Sequence, residues 1–220
     1  MLKTLVFNGW AAGYEAWDLC EFQHDWLFSY VEQLDGLPEK VVDDSDEVLL
    51  VGWSMGGSTA LRMALRAPEK VRGLVLVAAT PRMMEDKAAG WRGMSERRLE
   101  ALWLGTRLVF QDDPSPVYDL KAMERGIDYL RATDLREPLM TLNARFRRET
   151  PVRIFQSERD GIVRPDNANF LKSVFPQAEV TLVPGDEHVL PVAMPETISS
   201  AVCDLQRNEG EGSCRTGARR

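Results

Sequence analysis

The sequence predicts an α/β fold in which a mostly parallel sheet is flanked by helices. Two apolar runs, residues 48–51 and 71–79, have the composition of strands that are buried on both faces. A segment of helical character, residues 58–66, lies between them and ends before Pro68. A strand, a helix and a second strand in this order form the unit from which parallel sheets are built.

The same patterns predict the remaining elements along the chain. Further strands are expected at residues 2–7, 27–34, 151–156 and 179–183, and further helices at residues 95–104, 120–130, 167–174 and 195–205. Residues 36–45 form a short polar connection with room for one helical turn. Ser95 is expected to cap the first helix after the central strands.

The stretch between residues 82 and 148 interrupts this alternation, because it has helical character and no strand pattern. We therefore predict that residues 1–81 and 149–206 form the core. Residues 82–148 are predicted to form a compact helical lid over the edge of the sheet, inserted after the strand that follows the central helix. The polar, glycine-rich residues 207–220 are expected to form a disordered tail.

Composition limits the classes of protein to which the chain can belong. Its 220 residues and 44% hydrophobic content suffice for one domain with a sizeable core. No apolar run approaches the roughly 18 residues of a membrane helix, and the apolar N-terminus is too short for a signal peptide. The net charge of −7 argues against binding to nucleic acid. The three cysteines are odd in number and scattered without metal-ligand spacing, so we expect a cytoplasmic protein. The lack of a long apolar run leads us to expect no membrane partner.

The pentapeptide Gly52-Trp-Ser-Met-Gly56 joins the first apolar run to the helix behind it. A serine between two glycines at a strand-to-helix turn is typical of a nucleophile elbow, in which the serine backbone is strained. Side chains at Gly52 and Gly56 would collide there, because strand and helix pack closely. Ser54 is therefore the predicted nucleophile. A turn that binds phosphate is the alternative, but the usual lysine is missing.

A serine hydroxyl needs a base within hydrogen-bond reach and an acid that orients the base. In folds with this elbow, acid and base follow the serine on loops at the carboxyl ends of later strands. His188 satisfies this order, whereas His24, the second histidine, precedes the serine. Asp160 follows the strand at residues 151–156 and is the favoured acid. Two nearby carboxylates are alternatives, Glu158 and Asp166.

The oxyanion that forms in such a reaction requires two backbone N–H donors. We expect them at Met55, which follows the serine, and at Trp10, in the loop after the first strand. The Trp10 indole is expected to form part of the substrate pocket wall, and a core aromatic residue is the alternative interpretation of Trp10. Trp53 and Met55 flank the serine and are expected to line an apolar acyl pocket. Aromatic residues of the lid either extend this pocket or pack the lid on the sheet: Trp91, Trp103 and Phe110. No cofactor or metal ion is expected.

These motifs resemble those of the α/β-hydrolase superfamily and, more closely, those of the pimeloyl-acyl-carrier-protein methyl ester esterases of biotin synthesis. The resemblance includes roughly residues 2–205 and is carried by Asn8-Gly-Trp10 with Trp17, by residues 52–57, by residues 67–75 with Thr80-Pro81, by residues 126–138, by residues 160–163 and by His188. The usual D-x-x-G-x-G-x-S loop before the elbow is missing, and Gln33-Leu-Asp-Gly36 is at best a remnant.

The resemblance implies a serine carboxylesterase that hydrolyses a short or medium acyl ester, most specifically the methyl ester of pimeloyl-carrier protein. It also implies that the lid docks an acidic carrier protein through arginines. The lid has 13 Lys or Arg against 11 Asp or Glu, whereas the remainder has a net charge of −9. The candidate docking residues are Arg92, Arg97, Arg98, Arg107 and Arg125.

Two further classes of function fit the same motifs. One is a hydrolase or acyltransferase that acts on other small esters or thioesters with the same triad. The other is a binding protein that uses the hydrolase scaffold without turnover. Proteins of either class would contain every motif described above, so both classes remain alternatives to the carboxylesterase at the level of sequence.

Overall fold

The computed structural model describes residues 1–208, which contain one six-stranded sheet. The strands in chain order are β1 (Leu2–Phe7), β2 (Trp26–Phe28), β3 (Glu47–Trp53), β4 (Val71–Val77), β5 (Val152–Ser157) and β6 (Glu179–Val183). Their order across the sheet is β2-β1-β3-β4-β5-β6, and every neighbouring pair is parallel. The predicted tail lies outside the described residues except for its first two positions.

Helices connect the strands on both sides of the sheet. Those of the described chain are α1 (Tyr30–Leu34), α2 (Leu37–Asp43), α3 (Met55–Arg66), α4 (Glu96–Phe110), α5 (Leu120–Ala132), α6 (Arg136–Thr141), α7 (Ala144–Glu149), α8 (Asp166–Val174), α9 (Leu190–Ala193) and α10 (Pro195–Asn208), with 3-10 turns at Tyr14–Trp17 and Pro116–Tyr118. Within residues 1–208, no helix combines the length and apolarity that a membrane span requires.

The predicted α/β class is confirmed, and most of the predicted elements are confirmed with it. The strands predicted at residues 2–7 and 179–183 coincide with β1 and β6. The helix predicted at residues 120–130 corresponds to α5. Boundaries elsewhere differ by a few residues, as at α3, which begins directly after Ser54.

The strand predicted at residues 27–34 is wrong. Strand β2 ends at Phe28, and α1 begins two residues later. The side chain of Ser29 accepts a hydrogen bond from the Glu32 backbone N–H, and the Glu32 carboxylate accepts one from the Ser29 N–H at 2.8 Å. This reciprocal capping box starts a helix in the middle of a segment whose polarity alternates as in a strand.

The predicted helical character is also wrong for the first residues of the lid. Residues 82–94 form a turn closed by two isolated β-bridges, Met84 to Met94 and Asp86 to Trp91. Helix α4 begins only after this turn. Ser95 occupies its N-cap position, but the serine side chain makes no capping hydrogen bond.

The core is divided between the two faces of the sheet. Along β3, Val48 and Leu50 belong to the cluster that packs on α3 and α8, whereas Leu49 and Val51 belong to the cluster that packs on α10. This alternation follows from the two-residue period of a strand. Both sets are fully or almost fully buried, which explains why the strand has an apolar run without polar alternation.

The helices of the predicted lid pack in two different places. Leu139 of α6 and Phe146 of α7 join the core cluster beside α3 and α8. Helices α4 and α5 instead cover a separate apolar cluster above the carboxyl ends of the strands. This sub-lid cluster contains five methionines together with other buried side chains: Met55, Met83, Met84, Met94, Met123, Tyr30, Leu99, Ala122, Ile127, Leu130 and Val163.

Four charged residues join the start of the lid to the turn between α5 and α6, and we call them the lid-base cluster: Arg82, Asp86, Asp134 and Arg136. Arg136 Nη2 lies 2.8 Å from both Asp86 Oδ2 and Asp134 Oδ2. Arg82 also contacts the Asp134 carboxylate. The hydrogen bond from the Arg136 guanidinium lowers the pKa of Asp134 to about 2. The first residues of the lid are therefore held by charge to the turn between α5 and α6.

We predict that Asp134→Asn destabilises the protein by roughly 1–2 kcal/mol at pH 7, because Arg136 and Arg82 lose their shared carboxylate. A carboxylate whose pKa is lowered by folding contributes its stability above its unfolded pKa of about 3.9. The difference between the native protein and the variant should therefore be full at pH 7 and shrink as the pH falls from about 4 towards 2. Urea denaturation across this range measures it.

Asp128→Asn is the matched control, because Asp128 pairs with Arg131 on an exposed face of the same lid. Surface pairs of this kind contribute little to stability, so this variant should unfold almost as the native protein does. Equal unfolding of the Asp134 variant and the native protein at pH 7 would contradict the structural role of the lid-base cluster.

Candidate active site

Ser54 lies at the sharp turn between β3 and α3. Its backbone has φ 55° and ψ −119°, a conformation that side-chain-bearing residues rarely adopt. A Cβ atom at Gly52 would lie 2.4 Å from the Gly56 carbonyl oxygen, and one at Gly56 would lie 2.1 Å from the Phe7 carbonyl oxygen. The collisions predicted for both glycines are therefore confirmed, and the turn has the geometry of a nucleophile elbow.

Three polar side chains from separate loops form one hydrogen-bonded chain. Ser54 Oγ lies 2.9 Å from His188 Nε2, and His188 Nδ1 lies 2.8 Å from Asp160 Oδ2. Ser54 is 7% exposed and Asp160 is 4% exposed. These distances fit an imidazole whose Nδ1–H donates a hydrogen bond to the Asp160 carboxylate and whose Nε2 accepts one from the Ser54 hydroxyl.

The Asp160 carboxylate is fixed by its own loop at the end of β5. Its Oδ1 accepts hydrogen bonds from the backbone N–H groups of Ile162 and Val163, at 2.7 and 3.0 Å. Gln156 Nε2 reaches the other oxygen at 3.4 Å. Because Oδ1 is held by two backbone donors, Oδ2 is left facing His188.

The alternative acid and base candidates lie elsewhere in the structure. The Glu158 side chain is exposed, and Asp166 at the start of α8 forms ion pairs with Arg92 and Arg164, each at 3.5 Å. His24 packs edge to face on the Phe22 ring in the loop before β2. In the described chain, Asp160 is the carboxylate that contacts His188.

The Trp53 side chain supports the histidine loop. Its indole Nε1 donates to the His188 carbonyl oxygen at 2.9 Å, and the two rings are 5.8 Å apart. The side chain is almost fully buried in the core cluster on the α10 face. Ser157 Oγ donates to the carbonyl oxygen of Glu187, the residue before His188. Trp53 therefore contacts the His188 backbone, an interaction that the sequence did not predict.

The loop after β1 is held by side chains whose role was missed in the sequence. Asn8 Nδ2 donates to the carbonyl oxygens of Ala12 and Gly13, and Asn8 Oδ1 accepts from the Gly9 N–H. Gln33 Nε2 donates to the Asn8 carbonyl at 2.9 Å. The Asn-Gly pair was visible as a loop signal, but no local pattern connects it to a glutamine on α1.

Trp10 and Met55 are the two residues whose backbone N–H groups are expected to bind the oxyanion. Among residues 1–208, neither the Trp10 nor the Met55 backbone N–H has a hydrogen-bond acceptor. The Met55 N–H is one of the unpaired donors at the start of α3. The Trp10 indole contacts helix α5, because its Nε1 donates a hydrogen bond to the Met123 carbonyl oxygen at 2.9 Å.

The lid aromatic residues do not converge on one place. Trp103 lies 6.5 Å from Trp10 at the edge of the sub-lid cluster. Phe110 instead stacks on Tyr118 with a ring separation of 4.0 Å. Trp91 packs against Phe170, next to the lid-base cluster. Of these residues, Trp103 has the contacts that best fit the expected pocket.

Three of the candidate docking arginines make contacts within the chain. Arg98 Nη2 donates to the Gly161 carbonyl at 2.8 Å, Arg92 pairs with Asp166, and Arg125 pairs with Asp35 at 2.7 Å. The other two, Arg97 and Arg107, are exposed on α4. Within the described residues, neither has an ion pair or a side-chain hydrogen bond. No group of three His, Cys, Asp or Glu side chains among residues 1–208 is placed to hold a metal ion.

A parallel sheet whose central strand ends in a serine elbow defines the class of α/β enzymes with a nucleophilic serine. The sequence profile of the Alpha/beta hydrolase family matches residues 11–201, and the chain belongs to this family. Solved α/β structures share the fold at low sequence identity. A hydrolase from Oleispira antarctica has a TM-score of 0.69 at 15% identity, with 94% of this chain and 92% of that chain covered. An esterase from Exiguobacterium antarcticum has a TM-score of 0.68 at 16% identity, with 93% and 92% covered.

Curated relatives are more similar in sequence. A pimeloyl-[acyl-carrier protein] methyl ester esterase from Yersinia enterocolitica is 29% identical over 184 residues, which include 72% of this chain and 69% of that protein. A protein of the same name from Nitrosospira multiformis is 26% identical over 205 residues, which include 79% of this chain and 75% of that protein. The resemblance found in the motifs therefore extends over most of the chain.

We predict that Asp160→Asn lowers kcat about 10⁴-fold, because the amide would hold His188 in the wrong tautomer. The steady-state hydrolysis of a short p-nitrophenyl ester measures this loss. Glu158→Gln and Asp166→Asn are matched controls that remove one carboxylate from the same region, and each should retain kcat within about twofold. A near-native Asp160→Asn enzyme would move the acid to one of these two residues.

Proposed function

We propose that this protein is a serine carboxylesterase that works through an acyl-enzyme. The observation that carries the proposal is the hydrogen-bonded chain from Asp160 through His188 to Ser54, with the serine on a strained elbow. A buried serine hydroxyl paired with an oriented imidazole is activated as a nucleophile, since the imidazole can take its proton during attack. The family membership of the chain supports the same chemistry.

The first half of the proposed reaction forms the acyl-enzyme. Ser54 Oγ attacks the ester carbonyl carbon, while its proton passes to His188 Nε2. The resulting oxyanion is stabilised by the free backbone N–H groups of Met55 and Trp10. The bond between the carbonyl carbon and the alcohol oxygen then breaks, and His188 gives its proton to the leaving alcohol.

The second half regenerates the enzyme. Water attacks the acyl carbon and gives a proton to His188 Nε2. The bond to Ser54 Oγ breaks, the serine recovers its proton, and the carboxylic acid leaves. The Asp160 carboxylate stabilises the imidazolium in both halves and remains ionised throughout. This sequence of steps needs no redox or electrophilic cofactor.

The substrate that we propose is the methyl ester of a pimeloyl group carried by acyl-carrier protein. The names of the curated relatives support this substrate. The surroundings of the elbow are compatible with this substrate. Met55, the residue after Ser54, belongs to the apolar sub-lid cluster, and Trp10 and Trp103 pack at the edge of that cluster. An apolar region beside a helix with two exposed arginines that have no partner in the described chain suits an acyl chain that is attached to an acidic protein.

The docking surface proposed for the carrier protein is the outer face of α4. Arg97 and Arg107 lie about 15 Å apart along this helix, at 1.5 Å per residue. Because they have no partner within the described residues, their charges are available to an acidic protein. Arg92, Arg98 and Arg125 are less suited to this role, since docking would have to break contacts inside the chain.

The proposed reaction is tested with purified protein and two sets of methyl esters. Free methyl esters of increasing acyl length are compared with the methyl ester of pimeloyl-carrier protein. The carrier-bound ester should have the highest kcat/KM, and Ser54→Ala should abolish both its hydrolysis and labelling by a fluorophosphonate. Hydrolysis that persists in Ser54→Ala would remove the proposed nucleophile.

Growth provides the corresponding test in cells. Expression of the protein should restore growth without biotin to a strain that lacks its own esterase of this type, whereas soluble Ser54→Ala should not. If the soluble native protein hydrolyses other esters but fails to restore growth, the esterase activity stands and the biotin role is excluded.

The docking surface makes a separate prediction. Arg97→Glu together with Arg107→Glu should lower kcat/KM for the carrier-bound ester by about 10- to 100-fold, as expected when two interface charges are reversed. Hydrolysis of a free methyl ester should remain unchanged. Arg148→Glu with Arg145→Glu is the control, because it reverses two exposed arginines on α7, which packs on the core and not on the sub-lid cluster. Equal losses in both double variants would exclude α4 as the docking face.

A further inference from the structure

The Trp10 indole is anchored on the lid by a contact that no neighbouring sequence pattern predicts. Its Nε1 donates to the Met123 carbonyl oxygen at 2.9 Å, although the two residues are 113 positions apart. A carbonyl oxygen has two lone pairs, so Met123 can accept this bond and still serve its own helix. The loop that carries a proposed oxyanion donor is therefore bonded to α5.

Gly126 allows this close approach. A Cβ atom at this position would lie 2.3 Å from Trp10 Cδ1 and 2.6 Å from Trp10 Nε1. Gly126 lies inside α5 and is buried, and glycine is unfavourable in a helix interior compared with alanine. Its φ is negative, so backbone conformation does not require glycine here. Glycine is required here because the Trp10 indole occupies the space that a side chain would need.

The rest of the Trp10 loop is held from the opposite side. Asn8 closes the loop through Ala12 and Gly13, and Gln33 holds the Asn8 carbonyl. Ala11, directly after Trp10, has a positive φ of 52°. The Trp10 backbone N–H thus lies between a loop fixed to the sheet and an indole fixed to the lid. A shift of the indole would therefore be transmitted to the Trp10 backbone, because Asn8 and Gln33 restrain the rest of the loop.

We propose that α5 sets the position of the Trp10 backbone N–H through the docking of the Trp10 indole on Met123 and Gly126, so that Gly126 is a positioning residue for oxyanion stabilisation. The inference rests on the proposed function. It makes the lid part of the chemical step as well as of substrate binding. An oxyanion donor that is displaced by a few tenths of an ångström still permits ester binding but stabilises the transition state less.

The test substitutes Gly126 and compares it with a second glycine of the lid. Gly126→Ala should lower kcat for a short p-nitrophenyl ester by about 10- to 100-fold with KM changed less than about twofold, since removal of a whole oxyanion donor costs about 10²- to 10³-fold. Affinity for a trifluoromethyl ketone, which forms the tetrahedral adduct, should fall by a similar factor. Gly105→Ala is the matched control, because a Cβ atom there has nothing within 4 Å. It should leave kcat unchanged.

A double-variant cycle separates positioning from general damage to the lid. Trp10→Ala removes the indole, so adding Gly126→Ala to it should have no further effect on kcat. Trp10→Phe, which keeps an aromatic ring without the N–H donor, should lower kcat by about 3- to 10-fold even if Gly126→Ala proves too unstable to assay. Thermal melting confirms that each assayed variant is folded.

The outcomes distinguish this inference from the proposed function. If the native protein hydrolyses esters in a Ser54-dependent manner but folded Gly126→Ala keeps native kcat, the positioning role is overturned and the esterase stands. Independent, additive losses in the cycle, or a rise in KM alone, overturn it as well. If the native protein hydrolyses no ester, the proposed function and this inference fall together.

Discussion

The close contact between β3 and α3 is the constraint on which the rest of the site depends. With no side chains at Gly52 and Gly56, the helix packs directly against its strand and against the Phe7 carbonyl of β1. A third glycine, Gly57, lets the helix lie against Ala79, where a Cβ atom would be 2.3 Å from the Ala79 Cβ. The dense packing around the turn maintains the unfavourable backbone of Ser54. The hydroxyl is thereby presented at the carboxyl end of β3, where the loops after β5 and β6 place Asp160 and His188.

Much of this arrangement could be predicted because it is encoded locally. The apolar runs of β3 and β4 reflect burial on both faces, and the elbow requires glycine at fixed positions. Of the two histidines in the chain, only His188 follows the serine, so the expected order of serine, acid and base identified one candidate base. The prediction at residues 27–34 was wrong because the alternating polarity of that segment was outweighed by one specific interaction, the capping box of Ser29 and Glu32. Such a reciprocal pair satisfies two backbone N–H donors that would otherwise be unpaired at the start of a short helix.

What the sequence did not predict consists of contacts between distant segments. The bond from Trp53 to the His188 carbonyl, the docking of Trp10 on α5 and the lid-base cluster each join residues that are far apart in the chain. Periodicity and spacing describe neighbours, so they cannot show which arginines of a mixed-charge helix already have partners. Arg92 and Arg98 were equivalent to Arg97 in the sequence, and only the fold separates them. The same limit applied to Gly126, which had no turn or positive φ to mark it.

The sub-lid cluster has a further consequence, because five of its buried side chains are methionines. Thioether chains are unbranched and adapt their shape to whatever lies beside them, unlike valine or isoleucine. A pocket lined by these side chains would adapt its shape to the bound acyl chain, so it would discriminate poorly between acyl chains of different length. Discrimination between esters would then depend on what the lid surface recognises outside the pocket. Oxidation of any of these methionines would introduce a polar sulfoxide among the apolar neighbours of the sub-lid cluster, although burial shields them from oxidants in the folded protein.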